Sequence, residues 1–133
     1  MLAPRKKLWS TPKEAVDAAL SLVGPLRNCD VVYDVGCGDG RVLIHFARTS
    51  RGSAPLAKFV GVEIDETRAE EARRNVAAAG LASAIKIVCK NALSVDYSEA
   101  SVIFLYLIPR GLRMIKPVIL PPSGRKKSLK LVT

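Results

Sequence analysis

The chain has 133 residues, 49% of them apolar, which suits a single domain able to bury a core. No apolar run approaches the ~18 residues needed to cross a membrane, and no N-terminal apolar segment has the form of a secretory signal. The formal charge of +9 is concentrated at the ends, where Arg5, Lys6 and Lys7 and then Arg125, Lys126, Lys127 and Lys130 stand without an acid in either tail, and no acid follows Glu99. Cys29, Cys37 and Cys89 are odd in number and lack C-x-x-C spacing, which argues against a disulfide framework or a zinc site.

In chain order, Thr11-Pro12-Lys13-Glu14 has the S/T-x-x-E form of a capping box with proline at the first helical position, and Val16, Ala19, Leu20 and Val23 make one apolar face of the helix that follows. Gly24-Pro25 is expected to end it. Trp9, just before the cap, is read as a packing residue or as part of a closure over a ligand.

Val31 to Val35 then fit a buried parallel strand that runs into Gly36-Cys37-Gly38-Asp39-Gly40, and helical spacing resumes at Val42, Leu43, Phe46 and Ala47. Strand, glycine turn and helix in succession leave unpaired N–H groups at a helix start, suited to the polar end of a cofactor. Cys37 is read as a small residue that fits the turn, with a thiol activated by the helix start as the alternative. His45, the only histidine, is expected on the helix surface rather than as a catalytic base.

Phe59 to Glu63 predicts a second strand, with Asp65 capping a helix whose buried side is Ala69, Ala72 and Val76 and whose stop is Gly80. Ala84 to Cys89 reads as a third strand, followed by Lys90-Asn91-Ala92-Leu93. Ser101 to Leu107 fits a fourth, central strand, and a short helix is expected around Leu112 to Lys116. Pro117 and Pro121-Pro122 are expected to break the chain, leaving room in Ser128 to Thr133 for a short fifth strand.

The glycine spacing separates two cofactor classes. A dinucleotide fingerprint, G-x-G-x-x-G, needs a third glycine where this chain has Arg41. The pattern present is D-x-G-x-G-x-G, with Asp34 two residues before Gly36, and Glu63 lies 23 residues after Gly40 at the end of the next strand. From about Trp9 to Pro117 the sequence resembles the class I methyltransferases that use S-adenosylmethionine. The resemblance implies an α/β, Rossmann-like three-layer fold with a mostly parallel sheet, here of about five strands where the family usually has seven. It implies one S-adenosylmethionine-binding domain over residues 1–133, with 1–8 and 121–133 as flexible basic tails.

It also implies roles. Gly36, Cys37, Gly38 and Gly40 would pack on the methionine part of S-adenosylmethionine and Asp34 would help position its ammonium group. Glu63 would take the ribose hydroxyls, with Ile64 beside it. Asn91 and Ala92 would hold the adenine, an Asn-based turn being the alternative for Asn91. The Trp9-Ser10-Thr11-Pro12 segment and Gly-Asp-Gly-Arg are similar to small lysine methyltransferases without a SET domain, in which Thr11 would close over the methionine end. Tyr106, Pro109 and Arg110, beyond the fourth strand, are the catalytic candidates.

The expected activity is N-methylation of a protein lysine; the alternative is a truncated cofactor-binding module without catalysis. Leu107-Ile108-Pro109-Arg110 does not match the Asp/Asn-Pro-Pro-Tyr of base methyltransferases, so a protein substrate is favoured over nucleic acid, which the basic tails could otherwise attract. No metal is expected. The expected compartment is the cytoplasm, with mitochondrion or nucleus left open.

Overall fold

The computed structural model describes residues 13–105 and 109–133. Its elements are α1 (Lys13–Val23), β1 (Val31–Val35), α2 (Arg41–Ser50), β2 (Lys58–Glu63), α3 (Glu66–Ala78), β3 (Ile85–Cys89), a 3-10 turn (Ala92–Ser94), β4 (Val102–Leu105), α4 (Pro109–Ile119) and β5 (Lys130–Val132). The strands lie in the order β3-β2-β1-β4-β5, and every pairing is parallel. The position read as central for the fourth strand belongs to β1, with β4 as its neighbour.

Strand periodicity divides the side chains between two cores. On one face Val32, Phe59, Ile87, Val102 and Phe104 meet the apolar sides of α1, α2 and α3, with the Phe46 and Phe104 rings 4.7 Å apart. On the other, Val35, Ile103 and Leu105 meet Tyr97, Ile115 and Ile119. Helices therefore cover both faces, the three-layer arrangement expected of a parallel sheet.

Helix ends follow local chemistry. The Asp65 carboxylate accepts the Thr67 amide at 2.9 Å. At the far end of α3, Gly80 turns left-handed (φ 72°), its amide bonds the Ala77 carbonyl and the Leu81 amide bonds that of Val76. That is a Schellman ending. Gly24 (φ 77°) closes α1 in the same left-handed conformation. The capping box at Thr11 lies outside the described residues, as do Trp9 and the basic residues of 1–8.

Two further expectations need correction. Pro117 does not break the chain but lies inside α4, which runs well past the Leu112 to Lys116 segment. Proline removes one hydrogen bond near the helix end, while Ile115 and Ile119 are each 1% exposed, and their burial outweighs that loss. The Leu120 amide still reaches the Lys116 carbonyl at 2.7 Å.

Residues 121–133 are placed as structure rather than as a tail. Gly124 (φ 85°) closes a turn on the Pro121 carbonyl, and β5 pairs with β4 through Val102↔Lys130, Ile103↔Leu131 and Phe104↔Val132. The basic side chains assist this. The Arg125 guanidinium donates to the carbonyls of Tyr97 (3.0 Å), Ala100 (2.5 Å) and Ile119 (3.2 Å), and Lys130 Nζ donates to the Val23 carbonyl at 2.6 Å.

Candidate cofactor site

The strand register levels the carboxyl ends: Val35 stands opposite Val62 and Leu105, and Glu63 opposite Cys89. The glycine turn leaves β1 at this edge. Gly36 and Cys37 both donate their amides to the Val62 carbonyl, at 2.8 and 3.0 Å, so the turn folds back over the end of β2. Gly36, Gly38 and Gly40 have φ of 80°, 56° and 84°. A side chain at any of these would cost roughly 1–2 kcal/mol in backbone strain, which is why the sequence alternates glycine here. The Ile44 amide then bonds the Gly40 carbonyl and α2 begins.

Glu63 is the hub. Its side chain turns back into the protein, where Oε1 accepts the Gly38 amide at 2.9 Å and Oε2 accepts the Asp65 amide at 3.0 Å. A carboxylate has about four acceptor positions, so these two bonds fix its orientation and leave capacity for further donors. Asp34 is buried nearby, and burial together with the Glu63 charge raises its pKa to about 7. Two acids so placed favour a ligand that brings positive charge and hydroxyl donors.

Cys37 is also buried, and burial, with Asp34 and Glu63 close by, pushes its thiol well above the ordinary range. The reading as a small fitting residue holds, and the activated-thiol alternative does not. What it fits is Gly61: a Cβ there would stand 2.7 Å from Cys37 Sγ, 2.9 Å from Ile87 Cδ1 and 3.0 Å from Leu43 Cδ1. Gly61 has no positive φ, and nothing in the local sequence marks it apart from a glycine within an apolar strand.

The outer side of the turn rests on α3. A Cβ at Gly38 would meet Arg68 Nη2 at 3.0 Å, one at Gly40 would meet Ala72 Cβ at 3.3 Å, and Asn75 Nδ2 donates to the Asp39 carbonyl at 2.9 Å. Asp39 in turn holds Arg41 at 2.8 Å. Arg68 and Asn75 were absent from the residues expected at the site; their spacing from Ala72 was the available signal, but it reads equally well as a solvent-facing helix edge.

Other expected residues divide. Ile64 leaves 66% of its surface exposed directly after Glu63, an apolar surface at the strand edge. Asn91 caps the 3-10 turn, its Oδ1 accepting the Leu93 amide at 2.9 Å, which is the Asn-based turn. The Ala92 carbonyl accepts the buried Tyr97 hydroxyl at 2.7 Å. Pro109 and Arg110 open α4 beyond β4 and are exposed. Thr11 and Tyr106 lie outside the described residues. His45 is partly exposed, as expected, with Nε2 3.0 Å from Asp17 Oδ1.

A cleft of about 380 Å³ lies at the opposite end of the sheet, lined in part by Arg27, Asp30, Ser101 and Lys130. Asp30 there is already tied to the Arg27 amide (2.6 Å) and the Ser101 hydroxyl (2.8 Å), a link between β1 and β4. Asp34, Glu63 and the glycine turn are thus at the carboxyl edge, where open parallel sheets bind ligands.

Comparison with known proteins agrees with this geometry. A protein-lysine N-methyltransferase of Saccharolobus islandicus is 37% identical over 107 residues, covering 80% of this chain and 63% of that protein. This chain therefore spans somewhat less than two thirds of that relative's length. The crystal structure of an RNA methyltransferase from Salinibacter ruber with S-adenosyl-L-homocysteine superposes with a TM-score of 0.73 at 38% identity, covering 82% of this chain and 67% of the other. A methyltransferase from Thiobacillus denitrificans, 20% identical, shares the fold with a TM-score of 0.62 over 86% of this chain and 46% of its own. No described helix is long and apolar enough to cross a membrane. Residues 34–125, from the acid that precedes the glycine turn to the arginine that fastens the last strand, match the ANTKMT methyltransferase domain, and the chain belongs to that family of class I methyltransferases.

Proposed function

We propose that this chain binds S-adenosylmethionine at the glycine turn and takes part in methylation of a protein lysine. The observation that carries the reading is the pair of buried acids, Asp34 and Glu63, on either side of a left-handed glycine turn at the carboxyl edge of the sheet. The donor set fits the cofactor: Glu63 keeps acceptor capacity for ribose hydroxyls, and Asp34 gains from an adjacent ammonium group. Gly36, Cys37, Gly38 and Gly40 would form the bed of its methionine part, Ile64 and Ala92 would flank the adenine, and Asn91 would accept from the adenine amino group through its remaining lone pair.

Bound S-adenosylmethionine supplies a methyl group made electrophilic by its sulfonium. The chain's own task is alignment and desolvation, because a lysine amine with an ordinary pKa of ~10.4 reacts only when neutral. Tyr106, Pro109 and Arg110, beyond β4, would line the acceptor's approach, with the Tyr106 hydroxyl accepting a hydrogen bond from the amine. Thr11 would close over the methionine end. The cytoplasm is the compartment we assign.

Lysine as acceptor is supported by the Saccharolobus relative, whose name gives that activity. A second reading, an RNA acceptor, has a specific basis in the name of the Salinibacter structure and in the excess of 21 Lys and Arg over 12 Asp and Glu.

Calorimetric titration with S-adenosylhomocysteine and S-adenosylmethionine, with NAD as control, tests the first step; micromolar binding, about −8 kcal/mol, is expected for the first two only. Transfer of a labelled methyl group is then followed into protein and RNA fractions of a cell extract. Label in lysine supports the proposal, label in RNA replaces the acceptor, and binding without label leaves a cofactor-binding module. No binding by the folded chain would overturn the proposal.

A further inference from the structure

The glycine turn meets α3 at three consecutive residues. Gly38 lies against the Arg68 guanidinium, Asp39 gives its carbonyl to Asn75, and Gly40 packs on Ala72. Arg68, Ala72 and Asn75 are spaced by four and three residues, so they occupy one helix face. We propose that this face of α3 sets the shape of the turn and thereby the affinity for the amino-acid end of the cofactor, with Arg68 and Asn75 as positioning residues. The inference rests on the cofactor reading above and adds two residues to it.

The physical need comes from the glycines. A turn with three of them in five residues loses more conformational freedom on ordering than one of that length without glycine, and a ligand that must order it binds more weakly. Contacts already made in the free protein remove part of that cost. Glu63 holds the turn from within, through the Gly38 amide, and faces the ribose side. The α3 face holds it from outside, at the backbone of residues 38 to 40, which would bear on the methionine part.

Each contact also depends on the chemistry of its side chain. Asn75 reaches the Asp39 carbonyl as an N–H donor, which an aspartate of the same shape cannot do. A Cβ at Gly38 would stand 3.0 Å from Arg68 Nη2, so the flat guanidinium fills the space that a side chain there would need. Both residues lie on a helix whose buried positions are Ala69, Ala72 and Val76, so neither is one of its core residues.

The test compares two ligands that share the adenosine. Asn75→Asp, Arg68→Met and, as a surface control, Arg74→Met are titrated by calorimetry with S-adenosylhomocysteine and with 5′-methylthioadenosine, which lacks the amino-acid end; melting temperatures are measured in parallel. Asn75→Asp and Arg68→Met are expected to weaken S-adenosylhomocysteine five- to tenfold while changing methylthioadenosine by less than twofold, and Arg74→Met to change neither. Equal weakening of both ligands with a lowered melting temperature would mean a purely structural role and overturn the proposal, as would unchanged affinities. If the unaltered chain binds neither ligand, the cofactor reading itself fails. That outcome is distinct from wild-type binding that the variants do not alter.

Discussion

Glu63 Oε1 accepts the amide of Gly38, 25 residues earlier in the chain, at 2.9 Å, so the acid at the end of β2 and the turn at the end of β1 form one unit. Glu63→Ala removes this acceptor and that of the Asp65 amide together. Leaving two amides short of partners costs about 1–3 kcal/mol each where they are buried. Affinity for S-adenosylhomocysteine should fall at least tenfold and thermal stability should drop. Calorimetry and a melting curve check both, and unchanged affinity would remove Glu63 from the site.

Asp34 makes stability depend on pH in an unusual direction. Its pKa is about 7 in the folded chain against an ordinary 3.8, so between these values the folded state holds a proton that the unfolded state has released. The contribution is complete below pH 3.8 and is lost as pH rises towards 7, on the order of 1 kcal/mol per pH unit. Asp34→Asn should flatten this part of the profile. Urea unfolding at intervals from pH 5 to pH 8 measures it, and equal slopes in both proteins would contradict the assignment.

The same proton links binding to pH. Occupancy by a cation beside Asp34 favours its ionised form, so S-adenosylmethionine, whose α-ammonium stays charged below about pH 7.7, should bind more tightly at pH 7 than at pH 5.5 and release protons on binding. Titrations in two buffers of different ionisation enthalpy report the number released. A pH-independent affinity would separate Asp34 from the cofactor's ammonium group.

Gly61→Ala tests the packing under the turn. A methyl group there meets Cys37 Sγ at 2.7 Å and two further side chains at 3.0 Å or less, an overpacking worth about 1–3 kcal/mol. Adding Cys37→Ala should restore part of the loss, since it removes the nearest atom. Melting temperatures of the two single variants and the double variant would reveal the coupling; strictly additive effects would show that the contact is not shared.

Arg125→Met should release the segment between α4 and β5. Its guanidinium serves the carbonyls of Tyr97, Ala100 and Ile119, and no other side chain in the segment reaches all three. Hydrogen exchange at the amides of Lys130 to Val132 should quicken by at least tenfold while β1 and β2 stay protected. Uniform protection across the sheet would argue against this role.

The elements legible in the sequence were those whose signals are local. Asp65 announces α3 and Gly80 ends it because cap and stop lie within a few residues of the helix they serve. Gly36, Gly38 and Gly40 reveal the turn because no other residue takes those backbone angles without strain. Less legible were features settled at a distance. Pro117 ends a helix by local rules, but Ile115 and Ile119 bind α4 to the sheet beyond it. Arg125 and Lys130 resemble a charged tail until the carbonyls they meet, 25 and 107 residues away for Ala100 and Val23, are known. Asn91 carried two readings because one side-chain oxygen serves a turn and an incoming amine equally well.

The strand order has a further consequence for how the molecule comes into being. β1 bonds β2 on one side and β4 on the other, and Val32 waits for Val102, 70 residues later, before its second flank is covered. A parallel sheet contains no hairpin from which to start, so each pairing closes a long loop, and such topologies fold slowly. During synthesis the strand that delivers the glycine turn emerges early and remains half-partnered until β4 has left the ribosome. In that interval its exposed edge is available to the wrong partner, and a ligand gripping the turn would favour completion of the sheet by mass action.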